Sequence, residues 1–182
     1  MFKAENGVWT KRFLAAAIIQ GLLAVLLTFY IVISQIYVKP EVSRVIAFGS
    51  AGMWFTIGYV MYIVVGVIGV ATSALFYNYI ENILGLKYKG IANYLALSHL
   101  LLMNIGIIIV TWLMMYGGYE GAKVMLPKNL GGLGLTANEA HKVFEPIIIP
   151  IVISIIILIL GLISGGLGFL LTYKSIKVKT KK

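Results

Sequence analysis

The stretch 146–173, PIIIPIVISIIILILGLISGGLGFLLTY, contains no Lys, Arg, Asp or Glu. About 20 apolar residues form a helix long enough to cross the ~30 Å hydrocarbon layer of a bilayer, and this run is longer than that. Three more uncharged runs, 13–38, 45–80 and 90–119, share the property and with it fill most of the chain. The sequence therefore reads as an all-α membrane protein, a four-transmembrane-helix bundle forming a single domain over 1–182. The spans are placed at about 11–37, 50–83, 91–116 and 147–173. An outer loop over 117–145 carries a short helix at 137–144.

Composition supports this class. Of the 182 residues, 60% are hydrophobic and 12% charged. A soluble helical domain needs polar faces on its helices, and these runs lack them. The longest hydrophilic segment, 117–145, is too short to build a core of its own. There is no cysteine, which removes disulfides, thiolate catalysis and Cys-ligated clusters. There is no aspartate, and the six glutamates (5, 41, 81, 120, 139 and 145) all sit at or beyond the predicted membrane edges. The first apolar run is too long for the core of a signal peptide and reads as a retained helix.

Orientation follows from the positive charges. With four spans, the N-terminal arm, the 84–90 link and the C-terminal tail share one side and hold ten of the fifteen Lys and Arg residues. Lys39, Arg44, Lys123, Lys128 and Lys142 fall on the other. Positive residues in short loops mark the cytoplasmic side, so both termini are expected there (N-in, C-in), in the plasma membrane. The tail KSIKVKTKK reads as an anchor at anionic lipid headgroups rather than a nucleic-acid arm.

Proline and glycine punctuate the pattern. Pro40 ends the first helix, since the residue before proline avoids the helical region. Pro146 and Pro150 are placed at the start of the fourth span, where a missing N–H costs little. GGYEGAKVMLPKNLGGLGL reads as a flexible connector. Thr136 with Glu139 three residues on has the pattern of a capping box, which sets the short helix 137–144 on the membrane surface.

Two sets of residues stand out inside the spans. Small residues recur at Gly66, Gly69 and Ser73 in the second span and at Gly161, Ser164, Gly165 and Gly168 in the fourth. Small residues let helix backbones approach closely in lipid, either within the bundle or against another subunit. His99, tyrosines aside, is the one ionisable residue well inside a span. An imidazole there is either hydrogen-bonded between helices, with Ser98, Asn93 and Asn104 close in sequence, or a cofactor ligand or proton relay. His141 is expected on the other side of the membrane, which argues against a haem held by both histidines. Met103 lies on the same face of the same helix as His99 and cannot be the opposite axial ligand. Glu81, with Asn78 and Asn82, closes the second span as a polar helix end or the mouth of a proton path.

Residues 93–122, NYLALSHLLLMNIGIIIVTWLMMYGGYEGA, resemble a span of the large subunit of haem–copper oxidases, with a His, then Leu and Met, then Asn, Ile and Gly, and an aromatic-Gly turn. That subunit has about twelve spans and several metal-binding histidines, so the resemblance implies at most an accessory subunit of such a respiratory complex. His99 is its one candidate cofactor-binding residue.

These observations lead to an expected function: a non-catalytic integral membrane subunit of a larger energy-transducing, respiratory oxidase-like complex. It holds no cofactor of its own, and haem is left to the surrounding complex. Its expected partners are other integral membrane subunits and lipid, with no nucleic acid. A small oligomeric transporter or channel is the first alternative, and a haem-binding electron-transfer subunit the second.

Overall fold

A computed structural model describes residues 7–179, with side chains described to Lys174. The basic tail beyond Lys174, read above as a lipid anchor, lies outside the described side chains. Five α-helices follow one another: α1 (Val8–Tyr37), α2 (Val42–Ala47), α3 (Gly52–Ile83), α4 (Ile91–Met125) and α5 (Ala137–Lys179). α1, α3, α4 and α5 are each long and apolar enough to cross a membrane. No strand occurs among the described residues.

α1 stops at Tyr37, where Val38 turns extended (φ −101°, ψ 132°) two residues before Pro40. The expected link to the second span is itself partly helical. Glu41 accepts the N–H groups of Arg44 and Val45 at 3.0 Å and starts α2. α3 changes winding along its length, with π-helical turns at Tyr62–Gly69 and Tyr79–Ile83 between α-helical segments. The turn from α3 to α4 reverses the chain through Gly85 (φ 63°) and Gly90 (φ 53°), a left-handed region that costs glycine nothing.

The expected outer loop 117–145 is much shorter in the structure. α4 continues to Met125 instead of ending at 116. Gly117, Gly118 and Gly121 read as helix breakers, yet here they are helical positions where bulk is forbidden. A Cβ at Gly118 would strike the backbone of Phe55, one at Gly117 the side chain of Ile147, and one at Gly121 the ring of Phe144. The short helix 137–144 is likewise no separate element. α5 runs unbroken through Pro146 and Pro150. The Thr136–Glu139 box starts it, with Thr136 N–H donating to Glu139 Oε2 at 2.8 Å and Glu139 N–H to Thr136 Oγ1 at 3.4 Å. With that start fixed, each proline forgoes one backbone bond but keeps a helical φ.

α4 is the hub. It packs along α5, meets the Gly52–Met61 part of α3, and touches α1 through polar and aromatic side chains. α1 lies on α3. Where lipid replaces water there is little hydrophobic drive between helices, so close packing and interhelical hydrogen bonds hold the bundle.

The small residues of α5 supply the packing. A Cβ at Gly161 would meet the Leu102–Met103 backbone, one at Gly165 the His99 ring, and one at Gly168 Leu95 and Ala92. These pairings run antiparallel in step along α4. Ser164 stands off this seam and donates to Leu160 O at 2.7 Å. On α3, Gly69 faces Met103 and Gly66 faces Ile107 and the ring of Tyr62. Ser73 donates to Gly69 O at 2.9 Å and reaches Met103 Sδ at 3.8 Å.

Candidate functional site

His99 sits eight residues beyond the start of α4, about 12 Å along the axis at 1.5 Å per residue. It is 7% exposed. Its Nδ1 lies 3.2 Å from the hydroxyl of Tyr77 on α3. None of the polar residues near it in sequence bonds it. Asn93 instead accepts from Trp9 Nε1 at 3.0 Å, and Asn104 accepts from Gln20 Nε2 at 2.8 Å.

Aromatic rings fix the imidazole from the α1 side. The Phe13 centroid is 4.8 Å from that of His99 and 4.5 Å from that of Tyr77, on which Phe13 stacks. Tyr88, from the α3–α4 turn, closes the cluster at 5.0 Å from Tyr77. Burial and the nearby Glu81 carboxylate hold the Tyr88 phenol above its ordinary range. On the α5 side Gly165 brings its backbone against the imidazole.

A cavity of about 420 Å³ opens beside this cluster, between α3, α4 and α5. Ser73 and Tyr77 line it from one face of α3, and Leu162, Gly165, Gly166 and Phe169 from one face of α5. Those spacings of three and four residues put each set on one helical face. No buried side-chain nitrogen or oxygen among the described residues lacks a hydrogen bond. Nε2 of His99 makes none within the chain, so it is the imidazole atom that opens on the cavity. Tyr77 finds its acceptor in Nδ1. That arrangement leaves the proton of a neutral imidazole on Nε2.

A second polar seam crosses the bundle deeper along α4. Tyr62 donates to Gln20 Oε1 at 2.7 Å, Gln20 Nε2 donates to Asn104 Oδ1 at 2.8 Å, and Asn104 Nδ2 donates to Leu100 O at 2.7 Å. It ties α1, α3 and α4 together with every amide committed. Sequence reasoning missed it, although Gln20 inside the apolar run 13–38 was the available signal.

Glu81 closes the end of α1. Its carboxylate accepts from Trp9 N–H at 3.1 Å, Thr10 N–H at 2.8 Å and Thr10 Oγ1 at 2.8 Å, while Asn82 Oδ1 accepts from Gly7 N–H at 3.2 Å. These groups cap a helix rather than stand at an open mouth. His141, in the first turn of α5, is exposed at the opposite end of the bundle from His99. Among the described residues no three His, Cys, Asp or Glu side chains cluster in a way that could hold a metal ion. No family model, curated protein or solved structure matches the chain.

Proposed function

We propose that this chain is a non-catalytic integral membrane subunit of a larger energy-transducing complex of respiratory oxidase type, lying in the plasma membrane with both termini cytoplasmic. The observation that carries the reading is the Gln20–Tyr62–Asn104 seam. The polar side chains at mid-span bond one another and close the interior, where a pore would need them turned toward a continuous water path. The polar resource of the chain is spent on holding three helices in register.

The outer faces fit the same reading. In the apolar windows of α1 and α5, 11% and 17% of residues are buried within the chain, against 39% for α4. Two helices thus leave most of their surface uncovered by the chain itself, and other membrane subunits are the partners proposed for it. The assignment to an oxidase rests on the resemblance over residues 93–122. Purification from its native membrane in mild detergent tests the proposal. Stable co-migration with other membrane subunits is the expected result. A homo-oligomer that conducts ions or solutes would replace it with the transporter reading, and a Soret band in the isolated chain with the electron-carrier reading.

A further inference from the structure

We propose that the cavity between α3, α4 and α5 is a binding site for the headgroup of a lipid-soluble quinone, with His99 Nε2–H donating to a quinone carbonyl. This goes beyond the subunit reading and does not depend on it.

The argument starts from what the cavity offers. Its volume of about 420 Å³ lies within the ~300–1,000 Å³ range of small-molecule sites, which pair apolar walls with a few placed polar groups. No charged residue lines it, so it has nothing to neutralise an ionic ligand. Among its lining residues, Nε2 of His99, a residue only 7% exposed, and the Tyr88 hydroxyl make no hydrogen bond within the chain. With the Tyr77 hydroxyl donating to Nδ1, 3.2 Å away, the ring proton of the neutral imidazole lies on Nε2, which is then a donor. The matching ligand group is a neutral acceptor, a carbonyl.

Shape and depth narrow the class. Phe169, Tyr77 and Tyr88 surround the space with aromatic rings, which favour a flat π-system. Leu170 and Gly166 line the cavity and are exposed on the outer surface of α5, so the space communicates with lipid and leaves room for an apolar tail. Phospholipids also carry carbonyls, but their esters sit at the headgroup boundary. His99 lies about 12 Å along its helix. A molecule that dissolves in the hydrocarbon itself can bring a carbonyl to that position, and a flat, neutral, doubly carbonylated ring on an apolar tail is a quinone.

The test uses the full chain in phosphatidylcholine nanodiscs, photolabelled with an azidoquinone and mapped by peptide mass spectrometry. A parallel sample carries a phosphatidylcholine with a photoreactive acyl chain. Decylubiquinone is the competitor. The expected result is quinone label in 73–88 and 162–170, displaced by decylubiquinone, while the acyl label spreads over all lipid-facing helices. Gly166→Trp should reduce the quinone label at least tenfold. Gly166 lines the cavity and a Cβ there meets nothing within 4 Å, so the substitution adds bulk beside the cavity without a clash at Cβ. His99→Phe should reduce it comparably, since it keeps an aromatic ring and removes the N–H donor. Label that decylubiquinone does not displace, or that Gly166→Trp leaves unchanged, overturns the proposal and makes the cavity a crevice for acyl chains.

Discussion

The carboxylate of Glu81 caps the start of α1 from the far end of α3, accepting the N–H of Thr10 at 2.8 Å. Helix starts leave four N–H groups without intrahelical partners. They are usually satisfied by a side chain just upstream, but here Gly7 precedes α1 and offers none. Glu81 supplies the acceptor across the bundle, and its charge faces the positive end of the helix dipole. The same contact locks the α1–α3 pair in axial register.

Glu81→Ala is expected to cost about 1–2 kcal/mol, the upper part of the range for lost helix caps. Glu81→Gln keeps an acceptor oxygen and should cost less. Unfolding of the purified chain in micelles by graded SDS measures both. Equal stability of Glu81→Ala and the parent would show that water replaces the cap without loss.

Gly165→Ala is expected to destabilise the α4–α5 pair. The added Cβ falls against the His99 ring, nearest to Nδ1, and overpacking costs about 1–3 kcal/mol. Gly166→Ala, one position on and facing open space, should be neutral or stabilising because it removes the helix cost of glycine. The contrast between neighbours makes the measurement specific, and a matching loss in both variants would refute the packing geometry.

The helices were legible because the physics of lipid is blunt, and a run of 20 or more uncharged residues has few other fates. The 117–145 segment was not. Gly117, Gly118 and Gly121 carry the same composition as a flexible loop, and only the presence of Ile147, Phe55 and Phe144 against them shows that they are close-packed helix. His99 stood out as a lone imidazole, but its partner did not, since Tyr77 lies in another span and was one of several tyrosines there. Sequence proximity suggested Ser98, Asn93 and Asn104. Helix rotation takes Asn93 to Trp9 and Asn104 to Gln20 instead. The role of Glu81 needed the end of α3 to be set against the start of α1, which no local pattern records.

The Gln20–Asn104 bond is expected to show a small but measurable coupling. In membranes such pairs average ~0.6 kcal/mol, with a maximum near ~1.7 kcal/mol. A double-mutant cycle with Gln20→Leu and Asn104→Leu in SDS unfolding isolates the pair term from the separate loss of the Tyr62 bond. A coupling indistinguishable from zero would mean the seam positions helices without stabilising them.

Tags placed at Met1 and Lys182 should both resist external protease in intact cells. The basis is the ten-to-five division of Lys and Arg between the two ends of the bundle, with the richer end cytoplasmic. Cleavage of either tag from outside would reverse the orientation or break the four-span count.

At the opposite end, Glu41 is expected to titrate far below an ordinary carboxylate. Lys39 Nζ donates to its Oε1, its own backbone N–H favours its charged form, and Arg44 Nε donates to Oε2 at 2.8 Å. Together they lower its pKa from 4.5 to about 2. Because the folded value lies below the unfolded one, the link contributes its full stability above about pH 4.5. That contribution declines as pH falls and is gone below about pH 2. Carbon-13 NMR of the Glu41 carboxyl should place the midpoint near 2. Lys39→Met should raise it more than Arg44→Met, since the lysine bond is the larger cause. Salt should raise it as well, because the pair is exposed and screened. A midpoint near 4.5 in the parent chain would mean that the Lys39–Glu41–Arg44 link does not persist in solution, leaving the α2 connection to be held by Tyr119, whose hydroxyl donates to Pro40 O at 2.8 Å.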